Sequence, residues 1–302
     1  MIKLIKRKKL DVAKYDDCIA NSIQSNIFGY SWYLDIVCDN WSVFVLNDYE
    51  AVMPIPWRRK YFIKYTYQPF WTIQLGIYSK EIEDEDEFLI ELFGEFKYVN
   101  LRMNFKNSFS MFDKYCHEKT IQEISFVGNS YERILKSYNR NRKRELKKAQ
   151  QSELSEHWNE SPKLLIDLFR DNVGKRVSKI DEKEYMKLFE LMHRCISKGV
   201  GEFLTIRDKN NKLVSGAFFL KDNDKVIELV CSSDFKNREN GANTFMNDRA
   251  IFKYSSQFKI FNFGGSSMEN IAKYYRSFGG ENKYYMELKC NNLPWLLRLF
   301  KR

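Results

Sequence analysis

The chain has 302 residues, of which 44% are hydrophobic, 30% charged and 16% aromatic, and its net charge is +10. A chain of this length buries roughly three quarters of the surface its unfolded form exposes and lies near the size at which one core splits, so two domains are expected. Composition excludes disordered, collagen-like and low-complexity classes, and no run of ~18 apolar residues offers a membrane span.

The start, Met1 to Leu10, is basic but lacks the apolar stretch and small-residue cleavage site of a signal peptide, so a cytoplasmic location is expected. A helical pattern begins near Asp11. Strand-like runs follow at Trp41–Leu46 and Ala51–Trp57 and over 61–78, then a helix near Asp86–Phe96 and a strand at Tyr98–Phe105. Pro54 and Pro56 donate no ladder hydrogen bond, which places their strand at an edge or at a bend. Packed core is the expected role of the aromatic group Gln68 to Trp71, ahead of a substrate groove. The acidic run Glu81, Glu83, Asp84, Glu85, Asp86 and Glu87 suits a helix N-terminus, where the dipole favours carboxylates.

A boundary is expected near Gly128 and Asn129. Asn129 with Glu132 reads as a capping box opening one helical stretch that carries Lys136, Arg140, Arg142, Lys143, Arg144, Lys147 and Lys148 against Glu145. Tyr131, Ile134, Leu135, Tyr138, Leu146 and Ala149 recur at helical spacing, so most of these bases are expected in water; contact of some with a phosphate or an acidic acceptor is the alternative. Ser161-Pro162 and Asp181 with Glu184 mark two more helix starts and Gly199 a stop, giving three helices before a sheet. Strands at 201–207, 213–221 and 226–232, joined by the polar turns Asp208–Asn211 and Asp222–Asp224, form an antiparallel meander. A helix from about Gly241 to Ser255 then crosses to a strand at Phe258–Phe263, expected to run parallel to the third. After Pro294 the tail, 291–302, shows an apolar helical face; docking on the first domain is expected ahead of membrane-surface or dimer contact.

The stretch from Val226 to Gly280 concentrates the chemistry. A helix that starts at a glycine turn aims its free N–H groups and positive dipole end outward, ready for a phosphorylated ligand, and Gly241 permits both the turn and close backbone approach. The six cysteines lack C-x-x-C spacing and read as reduced and mostly buried. Three histidines without metal-ligand spacing leave no metal site expected and disfavour a histidine-activated nucleophile.

The order of helices, meander, glycine-turn helix, parallel strand, short helix and final strand resembles a GNAT acyltransferase domain, most closely the Fem-type and related two-module GNAT proteins of bacteria. The segment Asn237 to Asn243 is similar to the acyl-CoA pyrophosphate turn. Phe261-Asn-Phe-Gly-Gly-Ser266, followed by Ile271 to Gly279, resembles the F/Y-D-F-G-G segment of Fem-type chains, and the basic helix resembles the one that opens their second module. Asn243 stands where that turn usually has Gly or Ala, and Asn262 where an acidic residue is usual.

The resemblance implies an α/β (α+β) protein of two GNAT-like modules, each a mixed, mainly antiparallel sheet flanked by helices, over 1–128 and 129–290. It implies an N-acyltransferase that moves an acetyl or other acyl group from acyl-CoA to a small-molecule or peptide amine. The alternatives are a Fem-type peptidyltransferase fed by aminoacyl-tRNA, and a noncatalytic binding protein of the same fold. No stable nucleic-acid complex is expected, and the long heptad insertion of some tRNA-using members is absent. The expected donor-binding residues are Ser232, Ser233, Arg238, Gly241, Ala242 and Asn243, and the expected acceptor-binding residues Asn262, Gly264, Gly265 and Arg276. Splayed third and fourth strands would polarise the donor carbonyl through backbone N–H groups. Glu228 or Asp234 would accept the amine proton through water and Tyr274 or Tyr275 protonate the leaving group. Glu228 on the solvated side of its strand, and one tyrosine in core with the other exposed, are the non-catalytic alternatives.

Overall fold

A computed structural model describes residues 1–294 apart from Tyr61, Ile82, Glu83, Ser178, Lys179 and 265–267, and the backbone but not the side chains of Asn237 and Arg238. The chain forms two compact units: Met1–Lys119 with the return stretch that begins at Tyr284, and Thr120–Lys283. The expected tail helix falls on 295–302 and lies outside the described residues.

The first unit contains β1 (Ile2–Lys6), α1 (Val12–Asn21), α2 (Ser31–Val37), β2 (Trp41–Leu46), β3 (Ala51–Lys60), β4 (Ile63–Thr66), β5 (Tyr78–Ser79), α3 (Glu85–Glu95) and β6 (Tyr98–Arg102). Its sheet runs β1-β2-β3-β4 with β5 also on β3, every pair antiparallel. The prolines of β3 sit inside this sheet, not at its edge. Trp57 N–H donates toward the β2 side, to Asn40; by alternation Pro54 and Pro56 present their missing donors to the other side. There β3 pairs with β5 at Ala51 and Val52 and with β4 from Trp57, so both prolines fall in the gap between partners. Of the strand expected over 61–78, only β4 and β5 form. The loop between them is built in: Trp71 is buried, its carbonyl accepts from Tyr33 Oη at 2.6 Å, and Gln68 Oε1 accepts from Arg102 N–H at 2.9 Å.

Helix α3 uses its acidic start as expected. Asp84 caps it, and Glu85, Asp86 and Glu87 fill the first turn. The Glu85 and Asp86 carboxylates also hold the loop after β6, accepting from Ser108 N–H at 2.7 Å and Ser110 N–H at 3.0 Å. Phe88, Leu89 and Leu92, three, four and seven residues on from Glu85, continue its buried face and pack with Phe44, Met53 and Ile55 in one core.

The second unit takes the later part of β7 (Cys116–Ser125) and then α4 (Tyr131–Ser137), α5 (Arg140–Gln151), β8 (Ser155–Trp158), α6 (Pro162–Asp171), α7 (Glu182–Ser197), β9 (Gly201–Arg207), β10 (Leu213–Asp222), β11 (Lys225–Ser233), α8 (Ala242–Tyr254), β12 (Ile260–Asn262) and α9 (Glu269–Arg276), leading into β13 (Glu281–Asn291). Strand order is β7-β12-β11-β10-β9-β8. The expected meander β9-β10-β11 is antiparallel, and α8 carries the chain to β12, parallel to β11.

The basic stretch is two helices where one was expected. Tyr138 leaves the helical conformation and buries its ring edge-on to Phe278, and Asn139 caps a new helix by accepting from Arg142 N–H at 3.0 Å. Burying that ring outweighs helix continuity. Ser130, not Asn129, caps α4, because the Asn129 amide is engaged backward with the Ser125 and Val127 carbonyls. With α4 and α5 separate, four helices precede the meander, and the short strand β8, antiparallel to β9, lies among them.

Candidate active site

Strands β11 and β12 touch only at Lys225 with Ile260, Val226 with Phe261 and Ile227 with Asn262. From Glu228 onward β11 continues to Ser233 while β12 has ended, so the strands part as expected. A cleft of about 620 Å³ opens there, walled by β11, the first turns of α8, α9 and Arg142 of α5. Just beyond the last of these pairs β11 carries a bulge: pairing with β10 moves from Phe219 with Glu228 to Phe218 with Val230, leaving Leu229 extra. An extra residue reverses the alternation of side chains beyond it. Glu228 and Cys231, three apart, thereby share the face that packs toward α9, while Ser232 turns to the other face and donates to the Leu168 carbonyl at 3.2 Å.

The start of α8 lies against this cleft. Gly241 has φ +77°, its helix has neither a side-chain cap bond nor an acidic residue in the first turn, and Ala242, Asn243 and Thr244 line the opening. One residue before the cap, Asn240 Oδ1 accepts from the Ala242 N–H at 2.9 Å, and with no carboxylate in the first turn the positive end of the helix favours an external anion at the residues that follow. The left-handed turn expected of Gly241 is present, and the close approach is made by a neighbouring helix: a Cβ at 241 would stand 2.3 Å from the Glu145 carbonyl oxygen of α5. Close approach here is that of α5 backbone, which seals one side of the turn.

Arg142 departs from the solvent placement expected of most of the basic run. Its Nη1 donates to Thr244 Oγ1, its guanidinium lies 4.6 Å from the Tyr274 ring centre and 5.6 Å from that of Phe278, and its Nε is buried with no partner among the described residues. The signal was present: Arg142, Leu146 and Ala149 are spaced i, i+4, i+7, so one base lies on the apolar face of α5. Its neighbours Arg140, Lys143, Arg144 and Lys147 are exposed, as expected for most of the run.

Glu228 is 2% exposed, so the solvated-side alternative is excluded. Its Oε1 accepts from Tyr275 Oη at 3.2 Å, and Oε2 is buried without a hydrogen-bond partner among the described residues. Burial pushes this carboxyl up to about 7, against the opposing pull of hydrogen bonds from Cys231 and Tyr275. Burial also holds the Cys231 thiol and the Tyr275 phenol well above their ordinary values. Tyr275 is buried and stacked on Phe263 at 4.5 Å, whereas Tyr274 is partly buried at the cleft wall, its Oη 3.5 Å from Asn247 Nδ2. Neither tyrosine is fully exposed.

Of the other expected residues, Ser232, Ser233, Gly241, Ala242 and Asn243 line the cleft. Asp234 does not serve it: Oδ2 pairs with Lys212 at 2.8 Å and Oδ1 caps the Lys236 N–H. Asn262, Gly264 and Arg276 are absent from its wall. Asn262 is 6% exposed and bridges Glu123 Oε1 at 2.8 Å and the Gly264 N–H at 2.7 Å, fixing the turn after β12. Arg276 is held by Glu269 at 2.6 Å and Asn282 at 3.3 Å. Gly265 and the Arg238 side chain lie outside the description. Among the described residues no group of three or more His, Cys, Asp and Glu side chains is placed to hold a metal ion.

This architecture has relatives among solved structures. It matches FemX with a TM-score of 0.62 at 10% identity over 99% of this chain and 100% of that one. A tandem GNAT protein from the clavulanic acid biosynthesis pathway, solved without AcCoA, matches with 0.55 at 6% identity over 96% and 98%. L-PGS from Bacillus licheniformis matches with 0.53 at 8% identity over 96% and 95%. No family model and no curated protein matches the sequence. The fold is the GNAT-like, two-module fold of Fem type.

Proposed function

We propose that this protein is an N-acyltransferase that moves an acyl group from acyl-CoA, acetyl-CoA being the simplest donor, to the amine of a small molecule or peptide. One observation carries the reading: β11 and β12 part beside a helix start free of acidic residues, with a buried carboxyl near neutrality behind the gap. The donor phosphates would sit at Ala242 to Thr244 beside Arg142, and the acyl carbonyl along the unpaired edge of β11, where backbone N–H groups stabilise the developing oxyanion. Holding donor and acceptor together supplies rate through orientation. Glu228, as carboxylate, takes the amine proton through the Tyr275 hydroxyl and water, and Tyr274 at the cleft wall protonates the leaving group.

A thermal-shift titration with acetyl-CoA tests this: melting temperature should climb with the logarithm of ligand concentration above Kd. No shift at millimolar ligand would exclude acetyl-CoA as donor. A second donor class, aminoacyl-tRNA, is favoured by the exposed Arg140, Lys143, Arg144 and Lys147 on the helix that also carries Arg142 to the cleft. Binding of charged tRNA that weakens steeply with salt would support it. The six free cysteines suit a reducing, cytoplasmic site of action. No described helix is long and apolar enough to cross a membrane.

A further inference from the structure

One end of the first sheet gathers bases and an exposed ring that the acyl-transfer cleft does not use. Register sets the gathering. Lys6 at the end of β1 lies opposite Ser42, Trp41 lies opposite Pro56, and β3 runs on from Trp57 to Lys60 paired with β4. The 3-10 turn Arg7–Lys9 therefore faces the β3–β4 hairpin across the end of the sheet, and the two wall a cavity of about 590 Å³. Five cations line it, Lys6, Arg7, Lys8, Arg59 and Lys64, against the carboxylates Asp35 and Asp39. Both carboxylates are engaged, Asp35 with Arg7 at 2.8 Å and Asp39 with Arg58, and Lys64 reaches Glu95 at 3.3 Å. Lys6, Lys8 and Arg59 are exposed and make no ion pair with a described residue.

Phe62 stands at the tip of the hairpin, 95% exposed, with φ +66°. The ladder closes at Lys60 with Ile63, so the tip is a two-residue turn, where asparagine or glycine is the stable choice. A bulky ring there strains the backbone and, being exposed, returns nothing to folding. Such a residue points to a contact outside the chain.

We propose that this end of the first unit docks on an anionic lipid surface, Phe62 entering the headgroup boundary while Lys6, Lys8 and Arg59 meet lipid phosphates. An apolar tip flanked by bases has the chemistry of an interfacial anchor: the ring leaves water and the cations meet negative surface potential. RNA is the other polyanion to weigh. Single strands are held by stacking on open aromatic faces, and the tryptophans of this cavity are covered. Trp41 is 5% exposed with the Arg7 guanidinium 5.4 Å from its ring centre, and Lys64 Nζ lies 5.5 Å from that of Trp57. None of Lys6, Lys8, Arg59 and Phe62 lines the acyl-transfer cleft, and the docking face is independent of it.

The test is sedimentation of the intact chain with vesicles of phosphatidylcholine alone and of phosphatidylcholine mixed with phosphatidylglycerol. Binding is expected to the anionic vesicles only, weakening as salt is raised. Each lysine or arginine near such a surface is worth about fivefold in partitioning, so Lys6→Gln, Lys8→Gln and Arg59→Gln together should lower it about a hundredfold. Phe62→Asn should lower it about tenfold and leave the salt dependence as in wild type. Because asparagine tolerates the left-handed turn, Phe62→Asn should melt at or above the wild-type temperature, which separates a lost contact from a lost fold. The thermal response to acetyl-CoA should match wild type in both variants, so failure of either reading leaves the other in place. No binding by the wild type, equal binding to neutral and anionic vesicles, or binding that either variant leaves unchanged overturns the proposal. Capture of tRNA that the triple variant abolishes, with vesicles left unbound, overturns it in favour of RNA on the same face.

Discussion

Two helices, one in each unit, lead into a strand from a turn and end in opposite chemistry. Helix α3 begins with Asp84, Glu85, Asp86 and Glu87, so its own carboxylates occupy the positive end, and they also bind the backbone of Ser108 and Ser110. Helix α8 begins with Gly241, Ala242, Asn243 and Thr244, with no acidic residue in its first turn and a cleft in front of it. The same dipole is spent on structure in one case and left available in the other. Strand pairing repeats the contrast. The β1-β2-β3-β4 sheet is a run of antiparallel neighbours, whereas β11 and β12 are parallel, joined through α8, and free to part after three residue pairs.

The largest effect that would break this contrast is on Glu228. Glu228→Gln should lower turnover by a factor of ~10²–10⁴, the usual contribution of a general base, and abolish the rise of kcat/KM with pH through about 7 in wild type. Stability should move the other way. The folded carboxyl titrates near 7 against an ordinary 4.5, so its stabilising contribution is complete below the ordinary value and is lost as pH rises through about 7. Wild-type melting temperature should therefore fall between pH 5 and 8 more than that of the Gln variant, by calorimetry. A pH-independent difference would remove the titrating group from both roles.

Next in size is a glycine pair, one in each helix region. Gly241→Ala meets the Glu145 carbonyl and a left-handed backbone, and should destabilise by about 2–4 kcal/mol in urea melts. Gly94→Ala in α3 meets nothing within 4 Å and should stabilise by roughly 0.5–1 kcal/mol. Equal effects would mean that α5 does not seal the α8 turn. Arg142→Ala should weaken donor binding by about 1.5–3 kcal/mol, or tenfold and more in Kd by calorimetry, the range of a hydrogen bond to a charged group. Its counterpart in the first unit, Asp86→Ala, loses bonds to Ser110 and should lower stability by about 1–2 kcal/mol while donor affinity stays unchanged.

How much of this was legible depends on the range of the forces. Asp11, Asp84 and Asp181 cap helices within a few residues of where the sequence puts them, because a cap is a bond to the backbone three residues on or nearer. The meander was readable from turns at Asn211 and Asn223, both in the left-handed conformation that asparagine tolerates. Short strands such as β1 and β8 were missed, since four or five residues with charged alternates carry too little pattern. The break at Tyr138 was missed because its cause, Phe278, lies 140 positions away in sequence.

The sequence by itself determined the order of the longer elements of the second unit from the meander onward, the glycine-turn helix and the acidic seal on α3, because these follow from local propensity and from charges adjacent along the chain. Only tertiary structure decided which residues face the cleft. The bulge at Leu229 turns Cys231 toward Glu228, and burial by α9 brings that carboxyl near neutrality. Packing of α5 on Gly241 draws Arg142 out of a run of otherwise solvated bases. The same packing leaves Asn262 and Arg276 engaged with neighbours outside the cleft. Burial and side-chain direction are properties of the assembled sheet and helices, and no residue spacing encodes a bulge or the partner of a distant ring.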